Sequence, residues 1–177
     1  MIPARLIPAR LIAAALLTLT LPGAALALEV PMIIAGGQLD PAYPNADVYI
    51  GTPATPTVPP GRACALAQRY VELVNAGKYL EVAALFADDA TFLEPMRPTL
   101  HGRAEIDDFY TKRIGAMAPQ VRGVSYFGND NECMVELALQ TELAGEKRWV
   151  LVSIDHFILG DDGKVKSMTA FARPLRG

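Results

Sequence analysis

Arg148-Trp-Val-Leu-Val-Ser-Ile-Asp-His-Phe-Ile-Leu159, then Gly160-Asp-Asp-Gly163 and Lys164-Val-Lys-Ser-Met-Thr-Ala-Phe-Ala-Arg173, reads as two β-strands joined by a hairpin. The Gly-Asp-Asp-Gly cluster between two apolar runs is a strong hairpin signal. Upstream, Glu132 to Leu143 alternates, with Cys133, Val135, Leu137 and Leu139 on one face and Glu136, Gln140 and Glu142 on the other. Ala144-Gly145-Glu146 turns that strand into the next. Gln120 to Phe127 supplies a further strand, closed by Gly128-Asn-Asp-Asn131. The C-terminal third is therefore a run of antiparallel strands.

Before it the period changes. Leu66, Tyr70, Leu73 and Val74 follow the i, i+4, i+7, i+8 spacing of one helical face, and Asn75-Ala-Gly77 ends that helix. Lys78 to Phe86 reads as a second short helix. Ala87-Asp-Asp89 turns the chain into a strand over Ala90-Thr-Phe-Leu-Glu94, which Pro95 terminates. Gly102 opens a third helix with Ile106, Phe109, Tyr110 and Ile114 on its buried side. Three helices followed by antiparallel strands define the α+β class, helices packed on one face of a curved sheet.

The N-terminal region is of another kind. Arg5 and Arg10 precede the apolar run Leu11 to Leu21, and Ala25-Leu26-Ala27 offers small residues at a cleavage site. This is the pattern of a signal peptide over residues 1–27, too short for the roughly 20 residues of a bilayer span. Residues 28–62 carry Pro31, Pro41, Pro44, Pro53, Pro56, Pro59 and Pro60. That density denies helix and central strand, so the segment is expected as an extended or partly disordered tether. Its apolar patches Val30–Ile34 and Val48–Ile50 are candidates to dock as short edge segments. The domain proper is expected over residues 63–177.

Of the 177 residues, 16 are Lys or Arg and 19 Asp or Glu; without Arg5 and Arg10 the balance is 14 against 19. No basic cluster survives, which argues against nucleic acid as a partner, and nothing else in the chain is apolar for long enough to insert stably in a membrane. Cys64 and Cys133 would enter an oxidising compartment after export, where a bridge or two free thiols are both compatible with the spacing. His101 and His156 are the only histidines and belong to no metal-ligand cluster, so neither a metal nor a cofactor is expected.

Three residues stand out. Asp155 lies in a strand whose two faces are both largely apolar. Strict alternation sets it beside Trp149, Leu151, Ser153 and Phe157, where desolvation would favour its neutral form and a neutral acid can donate a hydrogen bond. The opposite assignment, with that face in solvent, fits the periodicity equally. Tyr70 sits on the apolar face of the first helix and needs a partner for its hydroxyl if buried. Glu94 leaves a strand just before Pro95, on the same face as Phe92; alone it reads as a rim residue.

Taken together, Tyr70-Val-Glu-Leu-Val-Asn-Ala-Gly77, Phe86-Ala-Asp-Asp-Ala-Thr-Phe-Leu-Glu-Pro95, His101-Gly-Arg-Ala-Glu-Ile106, Phe109-Tyr110 and Ile154-Asp-His-Phe157 resemble the ketosteroid isomerases, across about 110 residues. The broader set of motifs is shared with SnoaL-like members of the nuclear-transport-factor-2-like (NTF2-like) superfamily. The resemblance implies a cone-shaped NTF2-like fold with a hydrophobic pocket for a small apolar ligand. It implies Tyr70 and a neutral Asp155 as donors to a carbonyl oxygen, and Glu94 as general base. Phe86, Tyr110, Trp149 and Phe157 would support or line the pocket. The family's base is usually aspartate, so Glu94 is one methylene longer. Phe86 stands where some members have a tyrosine, and Ala172 where some have a tryptophan. The expected activity is a cofactor-independent shift of a C=C bond in an enone. The alternatives are a secreted binding or accessory module, or a SnoaL-like cyclase or hydratase. Pairing into a homodimer through the sheet is the family's usual habit.

Overall fold

The computed structural model describes residues 48–50, 52–143 and 145–173. Residues 1–47, which include the expected signal peptide and the patch Val30–Ile34, lie outside the described residues. The elements in order are β1 (Val48–Ile50), α1 (Arg62–Asn75), α2 (Tyr79–Ala84), β2 (Phe86–Leu93), β3 (Leu100–His101), α3 (Gly102–Asp108), β4 (Val121–Gly128), β5 (Glu132–Leu143), β6 (Glu146–Leu159) and β7 (Val165–Ala172). Helix α3 continues as a π-helical stretch, Phe109–Ile114, and a closing turn, Gly115–Met117. The widened turn brings the adjacent rings of Phe109 and Tyr110 into the core together.

One sheet carries the strands in the order β3-β2-β7-β6-β5-β4, antiparallel except for the parallel pair β2–β7. Three helices on this mostly antiparallel, open sheet form the NTF2-like fold expected from the motifs. Strand β1, from the segment read as a tether, pairs with β6 from Val48 beside Val150 to Ile50 beside Arg148. It takes up β6 where β7 stops, since Ala172 is the last β7 residue in register, beside Ser153.

Two irregularities matter. On β2, Phe86 sits beside Val165 and Thr91 beside Ser167, so a five-residue step on β2 matches a two-residue step on β7. The strand thus begins at Phe86, earlier than the sequence turn at Ala87–Asp89 predicts, and Asp88 and Asp89 bulge into solvent to meet Arg103 and Lys166. On β6, Leu137 faces Ser153 but Ala138 faces Leu151, so Val152 is an extra residue. A bulge of this kind reverses the alternation beyond it.

The core forms between the helices and the inner face of the sheet. Across that face run Phe92, Met168, Phe157 and Cys133, all buried. Phe86, Phe92, Phe109 and Tyr110 pack as an aromatic cluster with ring centroids 5.2 to 6.3 Å apart. Cys64 and Cys133 are joined in a disulfide with Cα atoms 5.1 Å apart, which decides the choice the spacing left open.

Candidate active site

Asp155 is inside. It is 4 % exposed, the one buried charged residue among the described residues. Its neighbours in register are Val135 on β5 and Ala170 on β7. Burial raises its carboxyl from 3.8 to about 7, a hydrogen bond from Ser153 pulling the other way. The Oδ1 atom is buried and has no hydrogen-bond partner. A buried polar atom left unpaired costs free energy; a ligand group that bonded it would recover that cost.

Tyr70 is also buried, on the inner side of α1. Its ring meets Phe157 edge-on at 5.1 Å and Tyr110 edge-on at 6.0 Å. The Tyr110 hydroxyl donates to the Tyr70 hydroxyl at 3.1 Å. Tyr70 therefore accepts one bond and keeps its own proton to give. Burial raises the Tyr70 phenol, and the Asp155 charge raises it further; Tyr110 opposes both. The Asp155 charge thus acts on the phenol through the core, where little water screens it. Below about pH 7 both groups carry their protons and can donate.

Glu94 follows β2 directly, on the face of buried Phe92. Leu93 lies beside Thr169 in register, so Glu94 comes level with Ala170, whose partner across β7–β6 is Asp155. The inner face thus carries the row Glu94, Ala170, Asp155. At about 4.8 Å between neighbouring strands, the two acidic backbones stand about 10 Å apart. Between them is a side chain no larger than a methyl, and Ala170 is only partly buried despite its place in mid-sheet. Glu94 Oε2, like Asp155 Oδ1, is buried without a partner. Such an arrangement suits an apolar molecule lying over Ala170, with one carboxyl on each side.

Of the supporting residues, Phe157 and Tyr110 stand beside Tyr70. Phe86 is fully buried against Tyr110 at 6.0 Å and serves the floor of the cluster. Trp149 is elsewhere. The bulge at Val152 places Leu151 opposite Ala138 and Trp149 opposite Gln140, on the face away from Asp155. Strict alternation set Trp149 beside Asp155; one extra residue undoes it. Ala170 and the Ser153 bond to Asp155 complete the site. Ala170 was legible only as a small residue two positions past Met168 in a strand of uncertain register. Among the described residues no cluster of His, Cys, Asp or Glu could hold a metal ion, and no helix is long and apolar enough to cross a membrane.

The fold is that of the isomerase- and cyclase-type NTF2-like proteins. The SnoaL-like domain profile matches residues 67–168, and the chain belongs to that family. It is similar to the Steroid Delta-isomerase of Nocardioides simplex, 33 % identical over 111 residues that make up 60 % of this chain and 85 % of the relative. Two solved structures share the fold. The epoxide hydrolase/cyclase-like enzyme SalBIII, of pyran ring formation in salinomycin, superposes with a TM-score of 0.52 at 22 % identity, covering 62 % of this chain and 88 % of SalBIII. A Mycobacterium tuberculosis protein, solved in complex with estradiol-17β-hemisuccinate, gives 0.53 at 20 % identity, over 63 % and 93 %.

Proposed function

We propose that this protein is an isomerase of the ketosteroid isomerase type, which moves a C=C bond in a small apolar enone by proton transfer. The observation that carries the reading is the row Glu94, Ala170, Asp155, with an unpartnered carboxyl oxygen at each end and the Tyr70 phenol near Asp155. In the first step the Glu94 carboxylate takes a proton from the carbon between carbonyl and alkene. The electron pair moves onto the carbonyl oxygen, where Tyr70 and neutral Asp155 donate to the developing charge. Glu94 then returns the proton to the γ-carbon, and the double bond comes into conjugation with nothing gained or lost. This is the division of labour by which ketosteroid isomerases work, with a neutral aspartic acid as donor. The longer Glu94 fits a molecule held further from β2 than an aspartate would require.

The test is conversion of a β,γ-enone to its conjugated isomer, followed by ultraviolet absorbance. Glu94→Gln should lose about 100- to 10,000-fold in rate, the range of a positioned base. Equal rates in the two proteins would overturn the assignment. Binding of a phenolate-like ligand with no turnover in the wild type would instead favour a binding module.

Export is part of the proposal. The basic n-region, the apolar run to Leu21 and the small residues at 25–27 support it, as does a disulfide, which persists in oxidising compartments. We also propose that two copies pair through the outer face of the sheet. In its support, Phe127 and Met134 are neighbours in register there, and they share that face with Ile158, Phe171 and Leu93, all exposed.

A further inference from the structure

Helix α1 is fixed to the sheet at both ends. In its first turn Cys64 is bonded to Cys133, and both are fully buried. In its last turn Asn75 holds Val121 twice: Nδ2 donates to the Val121 carbonyl and the Val121 N–H donates to Oδ1, each at 2.8 Å. Val121 is paired with Leu139, so the helix runs along β5 from Cys133 to Leu139. Tyr70 lies between the clamps, about 9 Å along the axis from Cys64. On the sheet side, Cys133 is paired with Phe157, and Val135, the next inward residue, with Asp155. A short closed path therefore joins phenol to carboxyl: two turns of helix, one disulfide, and two residues of strand.

The other buried residues of the helix besides Cys64 and Tyr70 are all apolar: Ala63, Ala67, Val71, Leu73 and Val74. Apolar packing of this kind is non-directional and does not by itself fix a height or a register. A disulfide does, because its geometry is narrow. Its seat is also tight. A Cβ at Gly128 would lie 2.8 Å from Cys64 Sγ, and one at Gly61 would lie 2.6 Å from the Asn129 carbonyl oxygen. The Arg62 N–H donates to Asp130 Oδ1 at 3.1 Å, which seats the start of the helix on the β4–β5 turn.

We propose that the Cys64–Cys133 disulfide is a positioning device for the donor pair: it sets Tyr70 against Asp155, and the chemistry of the site depends on its redox state. The inference rests on the reading of Tyr70 and Asp155 as paired donors. Reduction by a dithiol breaks the S–S bond, gives two thiols and oxidises the dithiol to its cyclic disulfide. Two thiol sulfurs in van der Waals contact stand roughly 1.5 Å further apart than bonded ones. Helix α1 must then lift or turn at the end nearest Phe157. A misplacement of about 1 Å can cost about 100-fold in rate.

The experiment compares the wild type, Cys64→Ala/Cys133→Val, Tyr70→Phe and the control Ile106→Val, which trims the core under α3. Equilenin binding by fluorescence, kcat and KM on a β,γ-enone, and Tm are measured for each. The disulfide variant should bind equilenin about 10-fold or more weakly and lose about 10- to 100-fold in kcat with KM little changed. The control should lower Tm and leave binding and kcat as they are. Should the double variant not fold, the wild type unfolded and reduced in guanidinium, then refolded with dithiothreitol in sucrose, carries the same measurement, with recovery on reoxidation. A lower Tm with unchanged equilenin affinity and kcat would reduce the disulfide to a staple and overturn the proposal. Wild type and Tyr70→Phe binding equilenin alike would instead remove the donor pair itself, and this inference with it.

Discussion

The Tyr110 hydroxyl donates a hydrogen bond to the Tyr70 hydroxyl across 3.1 Å, which leaves the Tyr70 proton free for another acceptor. The two phenols therefore differ in what their loss removes. In the proposed mechanism Tyr70→Phe deletes a donor to the reacting oxygen, and it is expected to lower kcat about 100- to 1000-fold. Tyr110→Phe deletes only support and should cost about 10-fold, a weakened neighbour rather than a missing one. Steady-state rates on a β,γ-enone check the order; a larger loss in Tyr110→Phe would reverse the roles.

Asp155 makes stability depend on pH in a defined direction. Its carboxyl is raised from 3.8 to about 7 by burial, so the folded chain binds this proton more tightly than the unfolded chain does. The contribution is fully present below about pH 4, is lost as pH rises towards 7, and stays lost above. The difference between 3.8 and about 7 corresponds to roughly 4 kcal/mol. Asp155→Asn cannot ionise. Urea midpoints from pH 4 to 8 should show the variant gaining on the wild type until about pH 7, then running parallel. Activity should fall over the same upper range, as the donor becomes an acceptor.

Ala170 is the gap between the two carboxyls, and filling it should act on the ligand before the fold. Ala170→Leu is expected to abolish equilenin binding while far-ultraviolet circular dichroism stays native. Its Tm should move by only a few degrees, since the residue is partly exposed and its new bulk can enter open space. Retained affinity would place the ligand elsewhere.

The outer face predicts self-association. Phe127 on β4 and Phe171 on β7 are 71 % and 54 % exposed on a face that also shows Met134 and Ile158. Sedimentation should report a dimer for the wild type. Met134→Glu, placed beside the Glu132–His156 pair, adds like charge where two copies meet and should give a monomer. A wild-type monomer at all concentrations would remove the pairing.

The fold was legible because its signals are local. The alternation of Cys133, Val135 and Leu137, the Gly160–Gly163 hairpin and the face of α1 each need only a few residues to read. The site was legible in part. The burial of Tyr70 and Asp155 could be expected from their positions on apolar faces once the motifs were taken jointly. Trp149 was misplaced because a bulge is a property of pairing: nothing within Trp149–Asp155 announces that Val152 has no partner on β5. The Asp88–Asp89 bulge escaped for the same reason, its acids resembling a turn. Ala170 escaped because a methyl carries no chemical signal; its meaning lies in the two acids beside it. The disulfide required knowing that α1 lies along β5, which spacing alone does not reveal.

Strand β1 has a consequence for how the domain is cut. The match to the SnoaL-like family opens at residue 67, which invites an expression boundary there. Yet the backbone of Arg148–Val150 is bonded to Val48–Ile50. A chain started after residue 62 would bare that margin of β6 as a template for strangers, the ordinary route by which an open sheet clumps. Val48–Ile50 is thus part of the wall, and versions of the protein that lack it are expected to express poorly for a reason unrelated to the chemistry.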